Sequence, residues 1–222
     1  MEDSPHRISK IRGMRYSDIV MKSTNILELN IALMGSHPLI WRALLIPADC
    51  NFFVLHAALQ DAFGWTDSHL HQFHTADPYR QRGEYERIGF PMPEAEDMTD
   101  ERKTKLSAFL RKPKDKIWYE YDFGDGWIHE VTMEKTMPPD PKMKYPHFVD
   151  GANACPPEDC GGIGGYGHLL EVLAHPNDEE HNDMLEWLGI ESPADFDQKY
   201  FDKKHVRFRD SKKALKQYEK GF

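Results

Sequence analysis

The stretch that decides the fold is Ile117-Trp-Tyr-Glu-Tyr-Asp-Phe-Gly-Asp-Gly-Trp-Ile-His-Glu-Val-Thr-Met-Glu-Lys135. Two runs of alternating apolar residues flank its Gly-Asp-Gly, and a three-residue loop that contains glycine is a common hairpin connection. We therefore predict a β-hairpin in which Phe123 lies opposite Trp127. Because side chains alternate along a strand, this register places an almost continuous apolar set on one face. That set is Ile117, Tyr119, Tyr121, Phe123, Trp127, His129, Val131 and Met133.

The other face of the predicted hairpin is acidic. It carries Glu120, Asp122 and Glu130, and Asp125 lies at the tip. Like charges across a strand pair repel one another unless they are solvated or neutralised. In the simpler interpretation, Asp125 is an ordinary turn residue and the glutamates form a solvated face. The alternative is a polar site at the turn, above an aromatic core.

Composition narrows the class of protein. The chain has 222 residues, of which 40% are hydrophobic, and can bury one substantial core. We expect an N-terminal extension over residues 1–25, a single domain over 26–209 and a C-terminal tail over 210–222. The formal net charge of −9 argues against nucleic acid as a partner. Because no apolar run approaches membrane-spanning length and no signal-peptide pattern opens the chain, we expect a cytoplasmic protein with no membrane contact.

Hydrophobic periodicity predicts the elements that precede the hairpin. Alternation over Leu27–Leu33 and over 39–46 predicts a second hairpin. A helix should follow, capped by Asp49 or Asn51 and ended by Gly64.

A short strand is predicted next, over His69-Leu-His-Gln-Phe-His74. Because successive side chains of a strand point to opposite faces, His69 and His71 lie on one face and His74 on the other. The polar residues 78–102 then predict a long surface loop.

The chain after the central hairpin shifts to helical periodicity. Two apolar stripes predict two helices, the second capped by Asn177 or Asp178 and ended by Gly189. The predicted fold class is therefore α+β. A mostly antiparallel sheet is built from hairpins, with a helix after the second strand and a C-terminal helical section.

A second polar segment, Cys155-Pro-Pro-Glu-Asp-Cys160, follows the central hairpin. Its two prolines force an extended, rigid path. The cysteine spacing is one that zinc can bridge, with His69, His71 or His129 as further ligands. The alternatives are two small buried thiols, the usual state of intracellular cysteine, or a reversible disulfide.

Glycines dominate the residues after this segment. Gly162, Gly164 and Gly167 match the G-x-G-x-x-G string. A dinucleotide-binding fingerprint follows a strand and opens a βαβ unit, whereas this string follows a Cys-Pro-Pro turn. We therefore predict a stiff turn before a helix that begins near Tyr166, whose first N–H groups would favour anions.

Five residues are candidates for catalysis: Asp122, Asp125, His129, Glu158 and Asp159. Carboxylate oxygens suit a divalent cation such as Mg²⁺, Mn²⁺ or Ca²⁺, and a histidine can move protons near neutral pH. His129 also falls on the apolar face of the hairpin, where a hydrogen-bonded core histidine is the more frequent outcome. Both interpretations of His129 stay open at the level of sequence.

Four motifs occur in a fixed order along the chain. They are Leu55-His56 through Phe63-Gly-Trp65, His69-Leu-His71-x-Phe73, Tyr119-x-Tyr-Asp-Phe-Gly-Asp-x-Trp127-x-His129, and Cys155-Pro-Pro-Glu-Asp-Cys-Gly-Gly162. Together they resemble the plasmid pRiA open-reading-frame-three-like family, whose members are often labelled insertion-element passenger proteins. The passenger label describes gene context, and the sequence contains no nucleophile constellation of a resolvase.

The resemblance covers about Ile26 to Phe201 and implies a compact α+β domain with no assigned biochemical role. The first 25 residues and the tail after Arg209 lie outside the pattern. The recurrent polar positions of the family fall here on His69, His71, Asp122, Asp125, His129, Glu158, Asp159, Cys155 and Cys160.

We predict a ligand- or partner-binding module in which the hairpin tip and the Cys155–Cys160 loop form one polar cleft. Gly124, Trp127, Gly161 and Gly162 are the expected ligand contacts, and the partner is an unidentified small ligand or protein. The alternative function is a metal-dependent hydrolase that acts on a phosphate ester. Both functions require the tip and the loop to lie close together.

Overall fold

Apolar residues recur along the sequence with the spacing of strands and of helices. The chain folds accordingly into one large sheet with helices packed against it. The computed structural model describes residues 24–80, 85–91 and 97–221. Its strands are β1 (Ile26–Leu33), β2 (Trp41–Pro47), β3 (His71–His74), β4 (Arg87–Gly89), β5 (Met98–Asp100), β6 (Lys116–Tyr121), β7 (Trp127–Met137) and β8 (His147–Ala152). Its helices are α1 (Phe52–Phe63), α2 (Gly162–Ala174), α3 (His181–Leu188) and α4 (Ser211–Gly221).

The strands that are described form a single sheet in the order β5-β4-β3-β6-β7-β1-β2-β8. Neighbouring strands run antiparallel except β4 and β5, which run parallel. The predicted α+β class is confirmed. No helix in the described ranges combines the length and the apolar character needed to cross a bilayer.

The central hairpin, β6–β7, forms with a register that differs from the predicted one. Tyr121 lies opposite Trp127, so the connection runs over residues 122–126 and Phe123 is 45% exposed at its tip. The reason is a tight turn in which the Asp122 carbonyl accepts a hydrogen bond from the Gly126 N–H at 2.6 Å. The observed pairing is shifted by two residues from the predicted one. Because side chains alternate along a strand, a shift of two leaves each side chain within the strands on its predicted face. Apart from Phe123, the predicted apolar face is therefore buried as expected.

Helix α1 confirms the predicted caps. The Asn51 side chain accepts a hydrogen bond from the Val54 N–H at 3.0 Å, which satisfies one of the free donors at the helix start. Gly64 ends the helix with φ of +85°, a conformation that favours glycine. The β1–β2 hairpin is confirmed as well.

Three strands were missed by the sequence prediction. The predicted loop over residues 78–102 contains β4 and β5 within its described parts, and β8 lies in a region expected to be helical or irregular. Strands β4 and β5 have only three residues each, which is too short for a period of two to be recognised. Strand β8 is half exposed at the sheet edge and lacks a clear apolar alternation.

Helices α2 and α3 begin at other residues than predicted. Helix α2 starts at Gly162 instead of Tyr166, because Gly161 at φ +88° already turns the chain. Helix α3 starts at His181, and Glu180 is its N-cap in place of Asn177 or Asp178.

The two chain ends differ in how far they can be described. Residues 1–23, most of the predicted N-terminal extension, lie outside the described residues. Residues 211–221, most of the predicted C-terminal tail, form α4. Ala214 and Tyr218 of this helix pack against Phe53 and Ala57 of α1.

A buried arginine ties the loop of the candidate site to the sheet. Arg42 of β2 donates hydrogen bonds to the carbonyls of Ala62, Ala152 and Asn153 at 2.8–3.0 Å. Its guanidinium also lies 4.0 Å from the ring centroid of Phe201. Because Asn153 lies two residues before the Cys155–Cys160 loop, these bonds fix where that loop starts.

Candidate functional site

The tip of the central hairpin meets the Cys155–Cys160 loop, as predicted from the sequence. The Asp125 carboxylate accepts a hydrogen bond from the Gly161 N–H at 3.2 Å. Gly162 lies so close to the tip that a Cβ atom there would be 2.2 Å from the Asp125 carbonyl oxygen. A side chain at residue 162 would therefore separate the two turns.

Asp122 organises the hairpin tip and directs one carboxylate oxygen toward His69. Its backbone adopts φ of +56°, and its Oδ1 accepts hydrogen bonds from the N–H groups of Gly124 at 2.9 Å and Asp125 at 3.4 Å. The second oxygen, Oδ2, lies 3.6 Å from His69 Nδ1. The turn thus aims a carboxylate oxygen at the imidazole.

His69 lies between the tip and the loop. Its Nε2 is 3.2 Å from Asp159 Oδ1, and its other ring nitrogen faces Asp122. One ligand atom from each of His69, Asp122 and Asp159 can be chosen so that all three lie within 4.8 Å of one another. In the part of the chain that the structure describes, no other three His, Cys, Asp or Glu side chains form such a group.

Solvent reaches this triad of His69, Asp122 and Asp159. The Asp159 side chain is 68% exposed, whereas that of Asp122 is mostly buried beneath it. Asp159 also holds a left-handed backbone, with φ of +61°. The triad is therefore an open set of one nitrogen and two oxygen donors at the mouth of the junction.

Glu158 serves a different role from its neighbour Asp159. The Tyr121 hydroxyl donates to Glu158 Oε1 at 2.5 Å, and Thr66 donates to Oε2 from both its N–H and its hydroxyl. Burial, followed by the nearby Glu158 carboxylate, raises the pKa of Tyr121 well above its ordinary value, so this hydroxyl stays protonated. Glu158 consequently ties the loop to β6 and does not join the triad.

Replacing Tyr121 by phenylalanine should reveal this tie. We expect Tyr121→Phe to lower the free energy of unfolding by about 2 kcal/mol, because a hydrogen bond to a charged group is lost. Urea denaturation of both proteins measures the difference. Tyr200→Phe removes an exposed hydroxyl and is the matched control; equal losses in the two variants would mean that the Tyr121–Glu158 bond does not hold the loop.

His71 does not lie beside His69, contrary to the prediction that both side chains share one face of a strand. Strand β3 begins only at His71, so His69 precedes the strand. The His71 side chain is buried, with Nε2 2.8 Å from Glu101 Oε2 and its ring stacked on His56 at a centroid distance of 3.4 Å. His71 is therefore separated from the triad by its place in the core.

The partners of His71 belong to a buried polar network that sequence reasoning missed. His56 contacts the Tyr119 hydroxyl at 2.9 Å and Asp67 Oδ1 at 2.8 Å, and Gln60 donates to the same hydroxyl. Burial and the adjacent His71 lower the pKa of His56 to about 4, although Asp67 opposes the shift. The available signal was the pair His56 and Gln60, polar residues four apart on the apolar stripe of α1.

The structure places His129 and Trp127 in the core. Both are buried, and the His129 ring packs against Phe63 and Trp65 with centroid distances of 4.6 and 5.2 Å. Burial lowers the pKa of His129 to about 3. The environment of His129 supports a place in the core, but neither ring nitrogen has a hydrogen-bond partner among the described residues. Trp127 lies beneath Trp65 instead of on an open surface.

The cysteines lie beside the triad without joining it. Both Cys155 and Cys160 are free thiols. Cys155 lines a cavity of about 400 Å³ together with Arg42, and Cys160 lines another of about 240 Å³. Burial raises the pKa of both thiols, that of Cys160 to about 12.

Comparison with known proteins finds a matching family model, a similar protein and a similar solved structure. A family model described as plasmid pRiA4b ORF-3-like protein matches residues 25–205. The uncharacterized protein y4hQ of Sinorhizobium fredii is 34% identical over 169 residues, which cover 74% of this chain and 81% of that protein. A crystal structure of a protein of unknown function, MM3350 from Methanosarcina mazei Go1, is similar with a TM-score of 0.72 and 37% identity, covering 83% of this chain and 98% of that one.

Proposed function

We propose that this chain, which belongs to the plasmid pRiA4b ORF-3-like family, is a ligand-binding module whose polar cleft holds a divalent cation. His69, Asp122 and Asp159 supply the ligands from the protein. The observation that carries this proposal is the approach of their ligand atoms to within 4.8 Å of one another. The three residues come from three segments that are distant in sequence, so local chain geometry does not account for their meeting.

Charge supports a cation at this position. Asp122, Asp125, Glu158 and Asp159 bring four carboxylates to the junction of tip and loop. Hydrogen bonds from Gly161, Thr66 and Tyr121 satisfy Asp125 and Glu158. Among the described residues, Asp122 Oδ2 and Asp159 Oδ1 are paired with the imidazole of His69 alone, and a divalent cation would neutralise both.

The donor set selects the kind of metal. One imidazole nitrogen and two carboxylate oxygens suit metals that accept both ligand types, such as Mn²⁺, Fe²⁺ and Zn²⁺. Cys155 and Cys160 lie outside this group of ligand atoms, so the proposed site has no sulfur ligand. Mn²⁺ is therefore a suitable probe, since its electron paramagnetic resonance signal separates free from bound ion.

The test is a titration of metal-free, full-length protein with Mn²⁺. Wild type is expected to bind a single ion per chain. Asp122→Asn keeps the Oδ1 acceptor of the turn but removes the carboxylate charge at Oδ2. We expect it to bind Mn²⁺ at least about 100-fold more weakly, because even changes outside the ligand shell cost about 10–100-fold.

Asp150→Asn is the control for this titration. It removes an exposed carboxylate on β8 and should retain the wild-type affinity. Equal affinities of wild type and Asp122→Asn, or no Mn²⁺ bound at millimolar concentration, would contradict the cation site.

A metal-dependent hydrolase that acts on a phosphate ester is the second candidate function. Three ligands from the protein leave coordination positions for water and substrate, which is the feature that catalytic metal sites share. His129 and His71 are buried in the core, so the oxygen of the exposed Asp159 carboxylate that does not bind the cation would accept the proton from water. Mn²⁺-dependent hydrolysis of p-nitrophenyl phosphate that Asp122→Asn abolishes would favour this function over binding alone.

A further inference from the structure

A cavity between helices α2 and α3 shares one residue, Asp159, with the proposed cation site. We infer that this cavity accepts a small aromatic carboxylate, whose acid group completes the coordination of the cation and whose ring packs against Trp187. This inference rests on the proposed cation site. It adds the chemical class of the ligand.

The cavity has a volume of about 240 Å³ and shares Asp159 with the triad. Leu169 and His168 of α2 form one wall, and Met184 and Trp187 of α3 form the other. An oxygen bound to the cation beside Asp159 would therefore have an apolar cleft between two helices next to it. Ligand atoms attached to that oxygen would extend into this cleft.

Trp187 is the feature that points to an aromatic group. Its side chain is a large apolar surface and is 48% exposed, although Met184 on the same face of α3 is partly buried against the core. An exposed indole at the edge of a cavity offers a flat surface on which a ring can stack or pack edge to face. A purely aliphatic ligand would make less use of it.

Size and charge limit the rest of the ligand. Pockets for drug-sized molecules are about 300–1,000 Å³, so a cavity of about 240 Å³ suits a single ring with a short acid group. Carboxylate oxygens bind the open positions of a divalent cation readily. His168 also lines the cavity, but its Nε2 lies 2.6 Å from Glu180 Oε2, so the cation is the group that would hold the acid.

Benzoate is the probe for this inference. Full-length protein is loaded with Mn²⁺, bound ion is checked by electron paramagnetic resonance, and transverse relaxation of the benzoate ring protons is measured by NMR. We expect a saturable relaxation enhancement with wild type. Acetate, which has the acid but no ring, should bind at least about tenfold more weakly because it cannot pack against the indole.

Two variants separate the ring contact from the metal contact. Trp187→Ala should weaken benzoate at least about tenfold while it leaves Mn²⁺ affinity unchanged. Tyr200→Ala removes an exposed aromatic residue from the cavity of about 400 Å³ on the other side of the loop and should retain wild-type binding of benzoate.

The outcomes are distinguishable. Bound Mn²⁺ without benzoate enhancement, or equal benzoate affinity in wild type and Trp187→Ala, overturns the inferred ligand class and leaves the cation site intact. If Mn²⁺ itself does not bind to wild type, the cation site and the inferred ligand class both fail.

Discussion

Gly162→Ala is expected to lower the free energy of unfolding by at least about 2 kcal/mol and to abolish Mn²⁺ binding. A Cβ atom at this position would lie 2.2 Å from the backbone carbonyl oxygen of Asp125, and Gly162 also has φ of +66°. A left-handed backbone costs about 1–2 kcal/mol for a residue with a side chain, and overpacking costs about 1–3 kcal/mol more. The hairpin tip would have to move away from the loop, which would part Asp122 from Asp159.

Gly164→Ala is the matched control in the same helix. A Cβ atom at Gly164 meets nothing within 4 Å. Alanine there should stabilise α2 by about 0.5–1 kcal/mol, since glycine is a poor helix former. Chemical denaturation and Mn²⁺ titration measure both variants. A Gly162→Ala protein with wild-type stability would show that the close approach of tip and loop is not required.

Acid is expected to unfold the protein between pH 6.5 and 4, before most carboxylates are protonated. Burial lowers the pKa of His56 to about 4 and that of His129 to about 3. The unfolded chain binds protons at these histidines near the ordinary pKa of 6.5, whereas the folded chain does not. Stability is therefore fully present above pH 6.5 and decreases as the pH falls, by about 1.4 kcal/mol per pH unit for each histidine. Across this interval the loss is comparable to the total stability of a typical domain.

His129→Leu tests the larger of the two shifts. The variant keeps an apolar side chain among Phe63, Trp65 and Tyr119 and removes the titrating group. We expect the slope of unfolding free energy against pH to decrease by about 1.4 kcal/mol per pH unit. His205→Leu, at an exposed histidine, should retain the wild-type slope. An unchanged slope in His129→Leu would mean that His129 is charged in the folded protein.

Regular periodicity explains the parts of the fold that the sequence predicts. The apolar face of the central hairpin was predicted correctly although Phe123 is not opposite Trp127, because a shift of two residues preserves the face. The caps at Asn51 and Gly64 were predicted because capping depends on a few local residues. The meeting of tip and loop followed from two rigid polar turns in an apolar scaffold.

The candidate site was only partly predictable, because its members meet through tertiary structure. Asp122 and Asp159 were recognised as candidates, but His69 was paired with His71 by extending a strand two residues too far. Glu101 lies in a segment whose acidic composition indicates a surface loop, yet its side chain is buried against His71. Strands as short as β4 give no periodic signal that would place such a residue in the core.

Anomalous diffraction from crystals of the full-length protein soaked in Mn²⁺ tests the cation site most directly. The expected result is a single peak at the junction of tip and loop, about 2.0–2.4 Å from a ring nitrogen of His69 and from carboxylate oxygens of Asp122 and Asp159. Crystals of Asp122→Asn soaked in the same way should lack that peak. Wild-type crystals in millimolar Mn²⁺ with no peak at the triad would contradict the assignment of these three residues as a metal centre.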